Sequence, residues 1–304
     1  MTDLSAPDHA LRSFTQRHGR FALPWQAGSG ALHLPITLNC YRPEGVAADA
    51  PVVLVQHGVL RNGDDYRDFW MPAADRYGLQ IMAPTFSNEH WPGVESYNNG
   101  SIWTEDDELR DPAYWAYQAV KNLAQQLRDA GMVRSQPLYL FGHSAGGQFV
   151  HRLVSTLGAN GFAGVVAGNP GWYTLPNTAP TFPEGLAGIG LPDNALARLL
   201  ATPMVILAGD QDTDTSDPNL PAEPAALRQG PHRFARARHY YAAGQAAAQA
   251  LGMPLAWQLH EVAGIGHDGE AMSHVCAHWW FEGAMPDAQW LAPWAGRVTA
   301  CMNR

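Results

Sequence analysis

The sequence predicts an α/β fold: a mostly parallel central sheet with an antiparallel N-terminal edge and helices on both faces. Short apolar runs that suit buried strands alternate along the chain with longer stretches of helical periodicity. Two early stretches instead alternate apolar and polar residues, as half-exposed antiparallel strands do. With 304 residues, 46% of them hydrophobic, the chain is long enough for one large core, so we expect a single domain over 1–304.

The predicted strands are of two kinds. Alternating patterns predict half-exposed strands at Phe21–Trp25 and Ala31–Tyr41. A continuous β-branched run, PVVLVQ at 51–56, predicts a strand that is buried on both faces. A second buried strand is expected at Pro137–Phe141, and further strands are expected at Leu79–Ala83, Gly164–Ala167, Met204–Ala208 and Ala256–Val262.

Helices are predicted where apolar residues recur every three or four positions. The clearest covers 111–130 and is closed by Gly131. Others are expected directly after the 137–141 strand and at Asp65–Tyr77, Arg233–Leu251 and Glu270–Phe281.

One segment, Asn169–Asn194, interrupts this alternation because it holds five prolines with glycines between them. Long loops inside compact domains are usually functional. We therefore expect 169–194 to be a lid or pocket-wall insertion within the domain.

Residues 142–146 read Gly-His-Ser-Ala-Gly and join a buried strand to an amphipathic helix. A serine on such a sharp turn exposes its hydroxyl above the sheet edge, and small neighbours let strand and helix approach closely. The helix start also favours negative charge. Ser144 is therefore the predicted nucleophile. The alternative, a serine that only caps the helix, does not require the small residues Ala145, Gly146 and Gly147 beside it.

A serine hydroxyl needs a base to take its proton, and histidine is the usual one. Of the 13 histidines, His267 has the required position, in a glycine-rich loop between the last predicted strand and helix. The order serine, acid, histidine along the chain is also the order found when the nucleophilic serine lies on a strand-to-helix turn of this kind. We interpret His57, His90 and His143 as lining of the same pocket.

The acid is expected among four aspartates that follow the 204–208 strand: Asp210, Asp212, Asp214 and Asp217. Asp212 is the predicted acid because Gly209-x-x-Asp212 permits one tight turn, and Asp214 is its main competitor. A calcium loop is the alternative interpretation of this spacing. However, Thr215 and Pro221 stand where the loop's glycine and bidentate glutamate belong.

The turn HGVLRN at 57–62 follows the PVVLVQ strand and predicts the oxyanion hole. The backbone N–H groups of Val59 and Ala145 are the expected donors, with Leu60 as an alternative. The predicted substrate pocket adds six side chains: His57, Arg61, Asn62, His143, Trp172 and Tyr173. Arg61 and Asn62 have a second interpretation, as caps of the following helix.

Four motifs in order give the chain a resemblance to the α/β-hydrolase superfamily: HGVLRN at 57–62, GHSAG at 142–146, GDQD at 209–212 and GIGHD at 264–268. Within it, HGVLRNGDDYRD and GNPGWYTLP resemble bacterial poly(3-hydroxybutyrate) depolymerase or feruloyl-esterase-like proteins of the LpqC type. The resemblance implies a serine esterase that forms an acyl-enzyme with polyester, oligoester or aryl ester substrates. A serine peptidase and a non-catalytic binding protein on the same scaffold are the alternatives.

The composition of the chain indicates which partners, compartment and substrates to expect. A formal net charge of −9 disfavours nucleic acid and anionic membranes, which repel a negative surface. No stretch has the apolar length of a signal peptide or a membrane span, so we expect a cytoplasmic protein. The three cysteines form no CxxC pair, so we expect no zinc site. The predicted chemistry needs no metal or organic cofactor. Without an export signal or a polymer-binding module after the last predicted helix, soluble 3-hydroxybutyrate-type oligoesters or small esters are the expected substrates.

Overall fold

The computed structural model describes Leu11 and residues 14–28, 33–133 and 137–297. The strands of this part of the chain are β1 (Gly19–Trp25), β2 (Ile36–Arg42), β3 (Val52–Gln56), β4 (Gln80–Thr85), β5 (Leu138–His143), β6 (Gly164–Gly168), β7 (Val205–Gly209) and β8 (Gln258–Val262). They form a mixed sheet in the order β1-β2-β4-β3-β5-β6-β7-β8. This strand order confirms the predicted fold class.

The helices in the same residues are α1 (Gly63–Tyr77), α2 (Gly93–Ser96), α3 (Ala116–Asp129), α4 (Ala145–Leu157), α5 (Ala195–Ala201), α6 (Pro224–Gln229), α7 (Arg233–Ala250), α8 (Gly269–Glu282) and α9 (Ala288–Leu291). None of these helices combines the length and hydropathy that crossing a bilayer requires. The short helices α2, α5, α6 and α9 were not predicted, because four to seven residues show too little of the 3.6-residue period.

The chain divides into two compact units. The first consists of Met1–Leu140 with Asn160–Ala163, and the second of Phe141–Ala159 with Gly164–Arg304, each as far as it is described. The single domain expected over 1–304 stays a prediction.

The first unit contains the antiparallel edge. Strand β1 pairs with β2, and β2 with β4, in antiparallel register, whereas β3 and β4 are parallel. β3 is buried along its whole length, as its unbroken β-branched run predicts, and β1 alternates in exposure. β2 starts at Ile36, later than expected, and Ala31 lies outside the described residues.

In the second unit β6, β7 and β8 run parallel, and α4, α7 and α8 pack against them. Parallel strands end at the same edge of a sheet, so the loops after β7 and β8 emerge side by side. Strand β7 is fully buried. The predicted nucleophile, acid and base all belong to this unit.

The proline-rich segment 169–194 is described throughout, and no helix or strand falls within it. Backbone hydrogen bonds fold it on itself, from Leu175 N–H to Glu184 O at 2.7 Å and from Leu186 N–H to Asn177 O at 2.8 Å. Phe182 and Ile189 are buried. The segment is thus a packed loop, and its role as a lid or pocket wall stays a prediction.

Candidate active site

Ser144 occupies the turn between β5 and α4 in a strained backbone conformation, with φ 57° and ψ −118°. The turn leaves no room for larger neighbours. A Cβ at Gly142 would collide with the backbone of Gly146, and one at Gly147 would lie 2.8 Å from the carbonyl oxygen of Gly168. These contacts explain physically why the motif has small residues on both sides of the serine.

Three predicted residues come together at this turn. The Ser144 hydroxyl lies 2.9 Å from Nε2 of His267, and Nδ1 of His267 lies 2.7 Å from Oδ2 of Asp212. A neutral imidazole that donates from Nδ1 to the carboxylate has its Nε2 lone pair directed at the hydroxyl. The His267 side chain is 22% exposed and that of Asp212 only 2%, so the imidazole is accessible while its carboxylate partner is shielded.

The other aspartates of the acid loop have different partners. Asp214 is exposed and accepts hydrogen bonds from the hydroxyl and backbone N–H of Ser216, which lower the pKa of its carboxyl. Asp210 accepts a bond from the N–H of Gly264 at 2.8 Å. Of the two candidates that the sequence left open, Asp212 is therefore the one hydrogen-bonded to the histidine.

Asn169 is a site residue that the sequence analysis missed. It is buried directly after β6 with φ 43°, and its side chain joins the two loops that carry Asp212 and His267. Its Oδ1 accepts the N–H of Gly209 at 2.9 Å, and its Nδ2 donates to the carbonyl of Gly266 at 3.0 Å. The available signal was a polar residue at the carboxyl end of a buried strand.

Arg233, the first residue of α7, is the second residue that was missed. Its Nη1 lies 2.7 Å from Oδ2 of Asp217 and 3.5 Å from Oδ1 of Asp212. The N–H of Phe234 also donates to the backbone carbonyl of Asp212 at 3.2 Å. The start of α7 thus holds both the side chain and the main chain of the acid.

His143, a predicted pocket residue, is 2% exposed and packs its ring against that of His267. Burial lowers the pKa of His143 well below its usual value, and positive charge on His267 and Arg233 lowers it further. His143 is therefore a neutral ring at neutral pH, next to a ring that is able to take up a proton.

His57 and Arg61, two predicted pocket residues of the first unit, make hydrogen bonds within that unit. His57 Nε2 accepts the N–H of Phe86 at 3.0 Å, and burial lowers the pKa of His57 to about 3. Arg61 donates to the carbonyl groups of Phe86 and Gly93 at 3.0 and 2.7 Å. These bonds brace the turn that carries Val59, which is 41% exposed.

The remaining predicted residues have varied surroundings. Asn62 donates to Oδ2 of Asp65 at 2.8 Å, within the first turn of α1. Trp172 is buried beneath the guanidinium of Arg152, which lies 4.9 Å from its ring centroid. Tyr173 is fully buried and stacks on Tyr240 at 4.4 Å.

Ala145 begins α4, and Leu60 and His90 lie at the surface or near it. Within the described ranges, no cluster of three or more histidine, cysteine or acidic side chains is placed to hold a metal ion.

Comparison with known proteins identifies the relatives of this fold. No protein-family model and no curated protein matches the chain. Among solved structures, the LpqC poly(3-hydroxybutyrate) depolymerase from Bordetella parapertussis is 58% identical, with a TM-score of 0.91, over 96% of this chain and 99% of that one. The chain belongs to the LpqC family of α/β-hydrolases. The resemblance predicted from the motifs is thereby confirmed.

Two further structures resemble this LpqC-family hydrolase. Poly(aspartic acid) hydrolase-1 from Sphingomonas sp. KT-1 is 32% identical, with a TM-score of 0.81, over 86% of this chain and 98% of that one. S-formylglutathione hydrolase from Agrobacterium tumefaciens is 16% identical, with a TM-score of 0.53, over 92% and 97% of the two chains. The last likeness shows the fold alone.

Proposed function

We propose that this hydrolase cleaves carboxylic esters through an acyl-enzyme formed on Ser144. One observation carries the proposal: hydrogen bonds run from the Ser144 hydroxyl through both ring nitrogens of His267 to Asp212, at 2.9 and 2.7 Å. A serine hydroxyl is a weak nucleophile at neutral pH until a base removes its proton. This arrangement supplies the base and the carboxylate that holds the base in the required tautomer.

In the first half of the proposed reaction, Ser144 Oγ forms a bond to the ester carbonyl carbon while Nε2 of His267 takes the hydroxyl proton. The tetrahedral intermediate collapses, the bond to the alcohol oxygen breaks, and His267 returns its proton to the departing alcohol. In the second half, water attacks the acyl-serine by the same route and releases the acid. The reaction as proposed uses no metal or organic cofactor.

The negative oxygen of each tetrahedral intermediate requires backbone donors. Ala145, as the first residue of α4, presents one of the N–H groups that a helix leaves without an intrahelical acceptor. The positive end of the helix dipole reinforces it. We propose the Ala145 N–H as an oxyanion donor. The predicted second donor, Val59 N–H, stays a prediction.

For the substrate we propose 3-hydroxybutyrate-type oligoesters or small aryl and alkyl esters. This proposal is supported by the relative that is 58% identical to this chain, because that protein is named a poly(3-hydroxybutyrate) depolymerase. Amide bonds are the second candidate, because the 32% identical relative is named a poly(aspartic acid) hydrolase and that polymer is joined by amides. The same Ser-His-Asp chemistry serves both bond types.

A substrate panel tests the proposal. Purified wild type, Ser144→Ala and Ser155→Ala are assayed with p-nitrophenyl butyrate, 3-hydroxybutyrate oligomers, methyl ferulate and short poly(aspartic acid). Ser155 is a matched control on α4, because its hydroxyl donates to the His151 carbonyl one turn earlier and is not part of the Ser144–His267–Asp212 chain of hydrogen bonds. We expect Ser144→Ala to lose roughly 10³-fold or more of its ester turnover, and Ser155→Ala to retain it.

Labelling by a fluorophosphonate, which reacts with activated serines, provides a second readout. We expect the probe to attach to Ser144 in the wild type and in Ser155→Ala. Undiminished ester turnover by Ser144→Ala would end the proposal. Turnover of poly(aspartic acid) without any of the esters would assign the amide alternative instead.

A further inference from the structure

Arg233 has an unusual location for a cation. It is the first residue of α7, an 18-residue helix, and its side chain is only 1% exposed. The helix dipole places partial positive charge at this end, where acidic side chains are favourable and basic ones are not. The first turn of α7 contains no acidic residue. The helix start and the burial therefore both oppose a guanidinium at this position.

The partners of Arg233 are the two carboxylates of the acid loop. A single nitrogen, Nη1, contacts Oδ2 of Asp217 at 2.7 Å and Oδ1 of Asp212 at 3.5 Å. The other two guanidinium nitrogens, Nε and Nη2, are buried and make no hydrogen bond within the described residues. Arg233 is thus buried with only part of its hydrogen-bonding capacity used. Buried ion pairs contribute little to the stability of a fold, so stability alone does not explain why an arginine lies here.

The contact with Asp212 falls on the oxygen that the imidazole does not use. Oδ2 of Asp212 accepts from His267, and Oδ1 faces Arg233. Asp217 is held in turn by the N–H of Asn219 at 2.8 Å, and although burial raises its pKa, that bond and Arg233 bring the net pKa of its carboxyl below the usual value. Asp217 is consequently an ionised counter-ion for Arg233 at neutral pH.

We propose that Arg233 is a positioning residue of the triad, which with Asp217 as its counter-ion fixes Oδ1 of Asp212 so that Oδ2 stays on His267 while the imidazole gains and loses its proton. The inference rests on the proposed function of Ser144, Asp212 and His267. A rotation of the carboxylate would break the bond to the imidazole, and the contact with Arg233 prevents it.

Several groups surround the imidazole of His267. Asp212 is hydrogen-bonded to the ring, and Asp217 and Arg233 are the nearby charges. His143 packs on the ring as a neutral group. The next residue, Asp268, caps α8 through the N–H of Ala271 and lies 3.9 Å from Arg297.

Four variants test the proposal: Arg233→Met, Asp217→Asn, the double variant, and Arg238→Met as the control. Arg238 is a matched arginine on the same helix, paired with Glu261 at 2.6 Å but 57% exposed. The double variant removes both partners of the ion pair together, so it folds even if Arg233→Met alone leaves an intolerable unpaired carboxylate. Each is measured by kcat and KM for a p-nitrophenyl ester and by proton NMR of the His267 Nδ1–H in ¹⁵N-histidine-labelled protein.

We expect Arg233→Met and the double variant to lose about 10- to 100-fold in kcat with little change in KM. The downfield Nδ1–H resonance of an imidazole bonded to a carboxylate broadens or disappears in Arg233→Met and the double variant. Arg238→Met retains wild-type values throughout.

Full kcat in the folded double variant would overturn the inference and leave the proposed function intact. Failure of the proposed function has a separate signature, since Ser144→Ala would then hydrolyse esters like the wild type. The NMR signal reports the position of Asp212 in either case, because it does not depend on turnover. An unchanged signal in all four variants would also overturn the inference.

Discussion

The ring of His143 lies 4.7 Å from that of His267, centroid to centroid, with 36° between their planes. Because burial keeps His143 neutral, its ring packs against the proposed base, His267, without competing for the proton. We expect His143→Ala to lower kcat/KM by about tenfold, since a cavity beside the imidazole permits other rotamers. His143→Phe keeps an uncharged ring in place and should retain most activity. Equal losses in the two variants, measured with p-nitrophenyl butyrate, would assign His143 a polar role instead.

Asp212 and Asp214 are two residues apart, yet only Asp212 contacts the imidazole. An amide at 212 would donate to Nδ1 and force the tautomer whose Nε2 carries a proton and accepts none. We therefore expect Asp212→Asn to lose roughly 10³- to 10⁴-fold in kcat. Asp214→Asn, at an exposed turn, should change kcat less than about twofold. Kinetics of both variants side by side provide the measurement, and a larger loss at 214 would refute the assignment.

Asn169 needs both ends of its amide, one to accept from Gly209 and one to donate to Gly266. Asn169→Asp keeps the shape but places a carboxylate oxygen against the Gly266 carbonyl. We expect a loss of about 1–3 kcal/mol in the free energy of unfolding and a fall in kcat, because the acid and histidine loops separate.

Asn177→Asp is the control for that substitution. The Asn177 side chain is exposed and only accepts a bond, from the N–H of Ala179, which a carboxylate does equally well. Urea denaturation and steady-state kinetics of both variants test the expectation. If both variants are equally stable and active, the bridge from Asn169 to the two loops is unimportant.

Two buried histidines should make the fold sensitive to acid. His57 and His151 each accept a backbone N–H at Nε2, from Phe86 and Thr174, so each ring must be neutral. Burial lowers the pKa of His57 to about 3 and that of His151 well below its usual value. In the unfolded chain these rings take up protons below about pH 6.5. The folded state therefore loses stability as pH falls through that value, by up to about 1.4 kcal/mol per pH unit for each ring.

His151→Gln provides the check, because glutamine retains a donor and an acceptor but does not titrate. The free energy of unfolding, measured in urea between pH 7 and pH 5, should fall less steeply in this variant than in the wild type. Parallel slopes would show that His151 is protonated in the folded state or does not contribute.

The fold and the hydrogen-bonded set of Ser144, Asp212 and His267 were predictable because their signals are local. GHSAG, GDQD and GIGHD each follow one predicted strand, so the parallel arrangement of the strands brings Ser144, Asp212 and His267 to one edge. Arg233 belongs to no such motif, and Asn169 lies in GNPGWYTLP, which indicated only the narrower resemblance. Their side chains contact residues at least 16 and 40 positions away, respectively, and only the packing of α7 and β6 shows which partners they meet.

The proline-rich loop begins at Asn169, whose side-chain amide is hydrogen-bonded to the neighbouring loops. Two residues later, the carbonyl of Gly171 accepts a hydrogen bond from Nη1 of the buried Arg236 at 2.7 Å. The loop's first residues are therefore bonded to the loops and the helix that carry the proposed catalytic residues and their neighbours. Attempts to alter specificity by transplanting this loop from a relative should place the junction after Thr174, whose N–H is bonded to His151. A junction at the end of β6 would also exchange Asn169, and with it the side-chain bonds to Gly209 and Gly266.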